Sequence, residues 1–199
     1  MFIINFFTGS VIRLVFGFVF MIILLLVAAT ALVGVLAATG GPGACTPGGV
    51  PLTVDAANAV SWQQKWDAMN VALDGGAPSS AAFNESELSS RADEYLEDHD
   101  VGFSEPRICI HDGFGEGSAT FSQLGIDVKV KARGTVDLTG EHPDAKIDKM
   151  EIGNVPGWLT GPVEGLVNRA IDAALDDATL DHDYAPTLTE GQASVNGTP

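Results

Sequence analysis

Three kinds of hydrophobic pattern follow one another along the chain. The first is unbroken, with no charged residue between 14 and 38. At 1.5 Å per residue, a helix of about 25 residues covers the roughly 30 Å hydrocarbon core of a bilayer. The second pattern is helical. Ala59, Trp62, Trp66, Met69 and Leu73 recur at three- and four-residue steps. They predict a helix over 55–73, capped by Asp55 and stopped by Gly75-Gly76, whose apolar stripe is read as a core face rather than a docking face. In Phe83-Asn84-Glu85-Ser86-Glu87-Leu88, Asn84 is placed as an N-cap with Glu87 completing a capping box, and Phe83 and Leu88 form the hydrophobic staple. The helix this opens, over 85–99, carries Leu88, Ala92, Tyr95 and Leu96 on one side and acidic residues on the other. Residues 77–82 between the two helices are small and read as a loop.

The third pattern alternates. Over 124–138, Leu124, Ile126, Val128, Val130, Ala132, Val136 and Leu138 fall on even positions. Asp127, Lys129, Lys131, Arg133, Thr135 and Asp137 fall on odd ones. This is a long antiparallel strand with one dry and one wet face. Strands are also expected over 106–112, with Asp112-Gly113 as the turn signal, and over 114–122, where Gly115 and Gly117 allow bending. Another is expected over 145–153, where the apolar phase changes between Ile147 and Met150, so that a bulge is expected near Asp148.

A broad apolar stripe follows, from Leu159 through Val163, Leu166, Val167 and Ile171 to Ala178, predicting a long amphipathic helix. Residues 186–198 read as a terminal hairpin turning at Glu190-Gly191. Strands in runs with segregated helices indicate an α+β domain with an antiparallel sheet. The expected organisation is a membrane anchor over 1–39, a Gly/Pro linker over 40–54 and an α+β domain over 55–199.

Charge orients this arrangement. The chain has 26 acidic and 10 basic residues, and only Arg13 among them precedes Asp55. Retention of positive charge in the cytoplasm puts the N-terminus inside, making a single-pass membrane protein with its C-terminal domain outside the cytoplasm. A cleaved signal peptide ending near Ala29-Thr30-Ala31 is the competing reading, and it exports the same domain. So acidic a domain repels nucleic acid. In an oxidising compartment Cys45, in the linker, and Cys109, on the strand face opposite Ile108 and Ile110, are candidates for a disulfide, against a reading as two free thiols.

From Phe83-Asn84-Glu85-Ser86-Glu87-Leu88 onward the order of elements is distinctive. Glycine-punctuated strands lead through Met150-Glu151-Ile152-Gly153-Asn154-Val155-Pro156 into the helix bearing Leu166-Val167-Asn168, and Leu188-Thr189-Glu190-Gly191-Gln192 closes the chain. Over about 55–199 this resembles bacterial membrane-anchored proteins with a tubular-lipid-binding, BPI-like half-tube domain. The resemblance implies a curved antiparallel sheet wrapped on a long amphipathic helix, with an apolar groove for acyl chains.

The residues themselves leave open whether the dry strand face and the striped helix meet as a filled core or stay apart as a groove. A groove would be lined by Ile126, Val128, Val130, Leu159, Val163, Leu166, Val167 and Ile171. His99, His111, His142 and His182 have acidic neighbours but no second ligand at helical spacing. They read as solvated, and no metal or cofactor is expected. No nucleophile elbow, phosphate loop or Cys-x-x-Cys is present, so no enzyme is expected. Two functions remain: a module binding a lipid or other apolar ligand, or an accessory subunit of a larger membrane complex.

Overall fold

The computed structural model describes residues 40–99, 103–123, 126–139, 144–153 and 180–199. Helix α1 (Ala56–Asp74) begins at its expected cap, where Asp55 Oδ1 accepts the Asn58 amide at 2.8 Å, and it ends at Gly75. Strand β1 (Ser79–Asn84) then leads into helix α2 (Glu85–His99). The capping box forms as the sequence indicates. Asn84 Oδ1 accepts the Glu87 amide at 2.9 Å, and Glu87 Oε2 accepts the Asn84 amide at 3.0 Å.

Four strands follow, β2 (Phe103–His111), β3 (Phe114–Gln123), β4 (Ile126–Asp137) and β5 (Asp144–Ile152), paired antiparallel in that order. The expected bulge is present: Arg133 pairs with Lys149 and Gly134 with Ile147, so Asp148 is skipped. A side chain at Gly134 would overlap the Lys146 carbonyl oxygen, and only glycine suits that position. The terminal hairpin is β6 (Asp183–Thr189) and β7 (Gln192–Thr198).

The α+β class is therefore as read, with two corrections. Most of the loop expected over 77–82 is instead the start of strand 79–84, because β1 pairs with β7 from Ser79 opposite Gly197 to Asn84 opposite Gln192. And the described strands form two antiparallel sheets instead of one, a three-stranded sheet ordered β1-β7-β6 beside the four-stranded one. Their turns interlock. The Gly113 amide donates to the Leu188 carbonyl, the Gly191 amide donates to the Ile110 carbonyl, and His111 Nδ1 lies 2.9 Å from Glu190 Oε1.

Helix α1 covers the three-stranded sheet. Met69, Leu73, Phe83, Tyr184 and Val195 form the buried cluster, with Trp62, Trp66 and Leu88 packed against it, so the tryptophan stripe is a core face. Leu73 sits directly on Gly197, where a Cβ would come within 2.6 Å of it.

The start of α2 differs from a wet acidic face. Glu85, Ser86, Glu87, Ser89 and Ser90 are all buried. Residues 45–55 lie across them as a strap. Glu85 accepts the amides of Gly48 (2.8 Å), Gly49 (3.3 Å) and Ile110 (2.8 Å). Ser86 and Ser90 hydroxyls accept the amides of Thr53 and Asp55, each at 3.0 Å. Ser89 accepts the Ile108 amide at 2.8 Å. Cys45 and Cys109 are joined in a disulfide, with their Cα atoms 5.9 Å apart, which pins the strap to β2.

Among the described residues no helix is long and apolar enough to cross a membrane. The expected span at 14–38 and the amphipathic stripe at 159–178 lie outside the described residues.

Two outcomes follow from the strap. Replacing both cysteines by serine releases a link between residues 64 apart and should lower unfolding free energy by about 4 kcal/mol in denaturant titration under oxidising conditions. Glu85→Ala strands three amides at once and should cost roughly 3 kcal/mol in the same measurement, with Glu85→Gln less damaging because one acceptor remains.

Candidate apolar binding site

Side chains alternate across the four-stranded sheet, so register decides which residues share a face. Ile108 pairs with Gly117, Gly117 with Ala132, and Ala132 with Met150. In the next row Ile110, Gly115, Gly134 and Ile147 align. This is the dry face expected from β4. On the reverse face, Lys131 Nζ meets Glu116 at 2.9 Å, and the Arg133 guanidinium lies 3.6 Å from the centre of the Phe114 ring. Cross-strand pairing therefore occupies Lys131 and Arg133, as a hydrated strand face would.

The described residues do not fully cover the dry face. A cavity of about 460 Å³ lies between it and the unit built from α1 and the three-stranded sheet. The sheet contributes Ile108, Ile110, Gly115, Gly117, Ala132 and Ile147, with Val136 and Leu138 toward the end of β4. The opposite wall is aromatic and aliphatic: Trp62, Trp66, Phe83, Leu88, Leu188 and Val195. Such a volume falls within the range of small-molecule pockets, about 300–1,000 Å³.

The aromatic wall is held in place. Trp62 and Trp66 stack with ring centroids 5.5 Å apart, and Trp66 stacks on Tyr184 at 5.1 Å. Arg91 covers Trp62 at 5.5 Å from its centroid. The Tyr184 hydroxyl donates to Asn70 Oδ1 at 2.6 Å. Burial raises the Tyr184 pKa, and the charges of Asp181 and Asp74 raise it further, so the phenol stays neutral.

Beneath Trp62, α1 and α2 are locked by Lys65. Its ammonium donates to Glu87 Oε2 (2.8 Å) and to the Ala82 carbonyl (2.9 Å), while Ser61 donates to Glu87 Oε1 (2.6 Å). Burial pushes the Glu87 carboxyl up, but the hydrogen bonds from Lys65, Ser61 and the Asn84 amide, with the Lys65 charge, outweigh it and hold the group below its ordinary value.

The groove residues expected from sequence fall as follows. Val128 and Val130 lie on the dry face, half-buried, toward the opposite end of β4 from the cavity lining. Ile126 opens β4. Leu159, Val163, Leu166, Val167 and Ile171 lie outside the described residues. Sequence reading took Gly115 and Gly117 as bend points and Ala132 as a dry-face residue, but named none of these, nor Gly134, as lining a cavity. Their signal was available as glycine and alanine on the apolar phase of two strands. Trp62, Trp66, Phe83 and Leu88 were recognised as packing residues but not as a cavity wall.

Among the described residues no group of three or more His, Cys, Asp or Glu side chains converges as a metal site. His182, read as solvated, is largely covered and meets Asp74 Oδ1 at 3.0 Å, while His111 is held by Glu190. Each histidine ties two elements together. Comparison with protein families, with characterised proteins and with solved structures gives no match.

The Glu87 site makes a pH dependence. Because its folded pKa is depressed, its contribution is fully present above the ordinary glutamate value of about 4.3 and is lost as pH falls through the lower folded value. Thermal midpoints measured from neutral pH down to about pH 3 should fall in that acid window, and the Glu87→Gln variant should show a lower midpoint at neutral pH and a shallower acid decline.

Proposed function

We propose that the chain is a membrane-anchored module, exported from the cytoplasm, that binds a lipid or other apolar molecule between its four-stranded sheet and the aromatic wall. The observation that carries this reading is the cavity of about 460 Å³ lined almost wholly by apolar side chains. Among the described residues no buried side-chain nitrogen or oxygen lacks a partner, so no polar anchor waits for a charged ligand. Burial of hydrocarbon, at about 0.8 kcal/mol per methylene, is the available driving force.

Location is argued from chemistry. The charge-free stretch at 14–38, preceded only by Arg13, supplies the anchor, and the Cys45–Cys109 disulfide suits an oxidising compartment. The resemblance to half-tube lipid-binding domains points the same way. On that reading the stripe from Leu159 to Ile171 belongs to a long helix facing the same apolar space.

An accessory-subunit reading has one observation in its favour. A second apolar recess, of about 350 Å³, lies between α1 and α2 and is bordered by Trp62, Ala92 and Leu96. Ligand binding accounts for the larger feature and is preferred.

Native mass spectrometry of the full chain released from its membrane should show a co-purified apolar molecule. Ala132→Phe, which fills the cavity, should reduce its occupancy severalfold while Arg133→Gln on the reverse face does not. A ligand-free mass for the wild-type chain from several gentle extractions would reject the proposal.

A further inference from the structure

We infer that the reverse face of the four-stranded sheet rests on the bilayer that holds the anchor, with Arg107 and Lys129 receiving the headgroup phosphates of anionic phospholipids. The inference rests on the membrane-anchored part of the reading above and is independent of the cavity and its ligand. Its first basis is where the basic residues stand. The chain has a formal net charge of −16, and nine Lys and Arg residues follow position 38. Six of the nine lie on this one face. The rows Arg107–Ser118–Lys131–Glu151 and Cys109–Glu116–Arg133–Lys149 run side by side, with Lys129 opposite Thr120 and Lys146 opposite Thr135 in the rows flanking them. Glu116 and Glu151 stand among the six cations. The remaining carboxylates are marginal: Asp127 and the facing Asp137 and Asp144 at the two ends of β4, and Glu105 and Asp148 where the strand pairing is irregular.

Three of the six cations are free. Lys131 is engaged by Glu116, Lys149 by Glu151 and Arg133 by the Phe114 ring. Arg107, Lys129 and Lys146 are exposed and, among the described residues, their side chains make no hydrogen bond or ion pair. Arg107 and Lys129 border one recess of about 230 Å³, together with Thr120, Glu105 and, from the linker, Pro42 and Ala44. Glu105 accepts the Thr120 hydroxyl there at 3.3 Å.

The path of the linker supplies a second basis that owes nothing to charge. Gly41 lies against Lys129, where a Cβ on it would come 3.1 Å from the Lys129 Cβ. Four residues on, the Cys45 amide donates to Ser118 Oγ at 3.2 Å, and its sulfur is bonded to Cys109. Residues 41–45 therefore cross the reverse face, and the disulfide keeps them there. Three residues separate Gly41 from the end of the charge-free stretch at 38, at most about 11 Å of chain. A headgroup layer is itself about 5–7 Å deep. The face beside the tether is thus the one that meets the headgroups first. An anionic surface repels the acidic remainder of the domain, whereas each Lys or Arg brought up to it is worth roughly fivefold in affinity. The potential fades over about 8 Å at physiological salt, so the facing layer of charge decides the orientation.

The test acylates the full chain, one copy to a nanodisc, with a water-soluble amine reagent and reads each lysine by peptide mass spectrometry. Discs of neutral phosphatidylcholine are compared with discs enriched in phosphatidylglycerol. Lys129 and Lys146 should react at least about fivefold more slowly in the anionic discs, and salt at about 1 M should restore their rates. Lys65, on α1 across the cavity from this sheet, should react alike in both. With Arg107→Gln and Lys129→Gln together, Lys146 should lose most of its protection, while Arg107→Lys with Lys129→Arg keeps it. These changes fall on exposed side chains, and circular dichroism verifies that each variant folds. Equal rates at Lys129 and Lys146 in the two kinds of disc, protection shared by Lys65, or protection that appears only when a disc holds two copies overturns the docking and leaves the anchoring intact. Undiminished protection of Lys146 in the glutamine variant overturns the assignment to Arg107 and Lys129. Recovery of the chain apart from the discs overturns the anchored reading itself.

Discussion

A buried carboxylate grips three backbone amides, and most of the molecule's arrangement passes through it. Glu85 stands in the first turn of α2 at 3% exposure, and its oxygens accept from Gly48, Gly49 and Ile110. Burying a carboxylate is costly unless donors replace its water, and here three N–H groups do so beside a helix N-terminus, whose dipole also favours negative charge. The same contact fixes the strap, orients α2 and places β2, the edge of the four-stranded sheet. Ser89, fully buried, adds a second hold on β2 through the Ile108 amide. The disulfide from Cys45 to Cys109 closes the strap over the reverse face of the same strand.

With β2 held in this way, the two sheets meet at their turns while their faces remain apart. The amides of Gly113 and Gly191 bond across, and His111 meets Glu190. A core of the usual density would fill the space between the faces with interdigitating side chains. Among the described residues, small side chains on the inner strands of one sheet, facing an aromatic wall that stacks on Tyr184, leave it open. An apolar space of this size forgoes dispersion contacts that a filled core would make, and the proposed apolar ligand would restore them. That physical consideration links the packing to the proposed activity.

The separation of the two faces of the four-stranded sheet is equally chemical. Charged residues on its reverse side find partners across strands, as Lys131 does with Glu116 and Arg133 does with Phe114. A one-residue slip would exchange the faces, placing these charges in the apolar space. The bulge at Asp148 preserves the register of faces along β5: Met150 and Ile152 before it, in pairing order from Val130, and Ile147 and Ala145 after it, all match even-numbered partners on β4.

Local chemistry was legible in the sequence wherever a short stretch contains the whole interaction. Asp55, the Asn84–Glu87 capping box, the alternation along β4, the phase change at Asp148 and the hairpin at Glu190-Gly191 all rest on neighbours within a few residues, and each is found where the pattern places it. The disulfide was one of two open readings, because pairing residues 64 apart is a matter of position in space. Tertiary structure alone decided the rest. The mostly small residues at 79–84 become a strand only because β7 offers its edge more than a hundred positions later. The polar start of α2 is buried because a strap supplies amide donors that composition cannot reveal. And the size of the space over Gly117 and Ala132 depends on where another sheet and helix come to rest, a distance that hydrophobic periodicity, which fixes direction alone, does not contain.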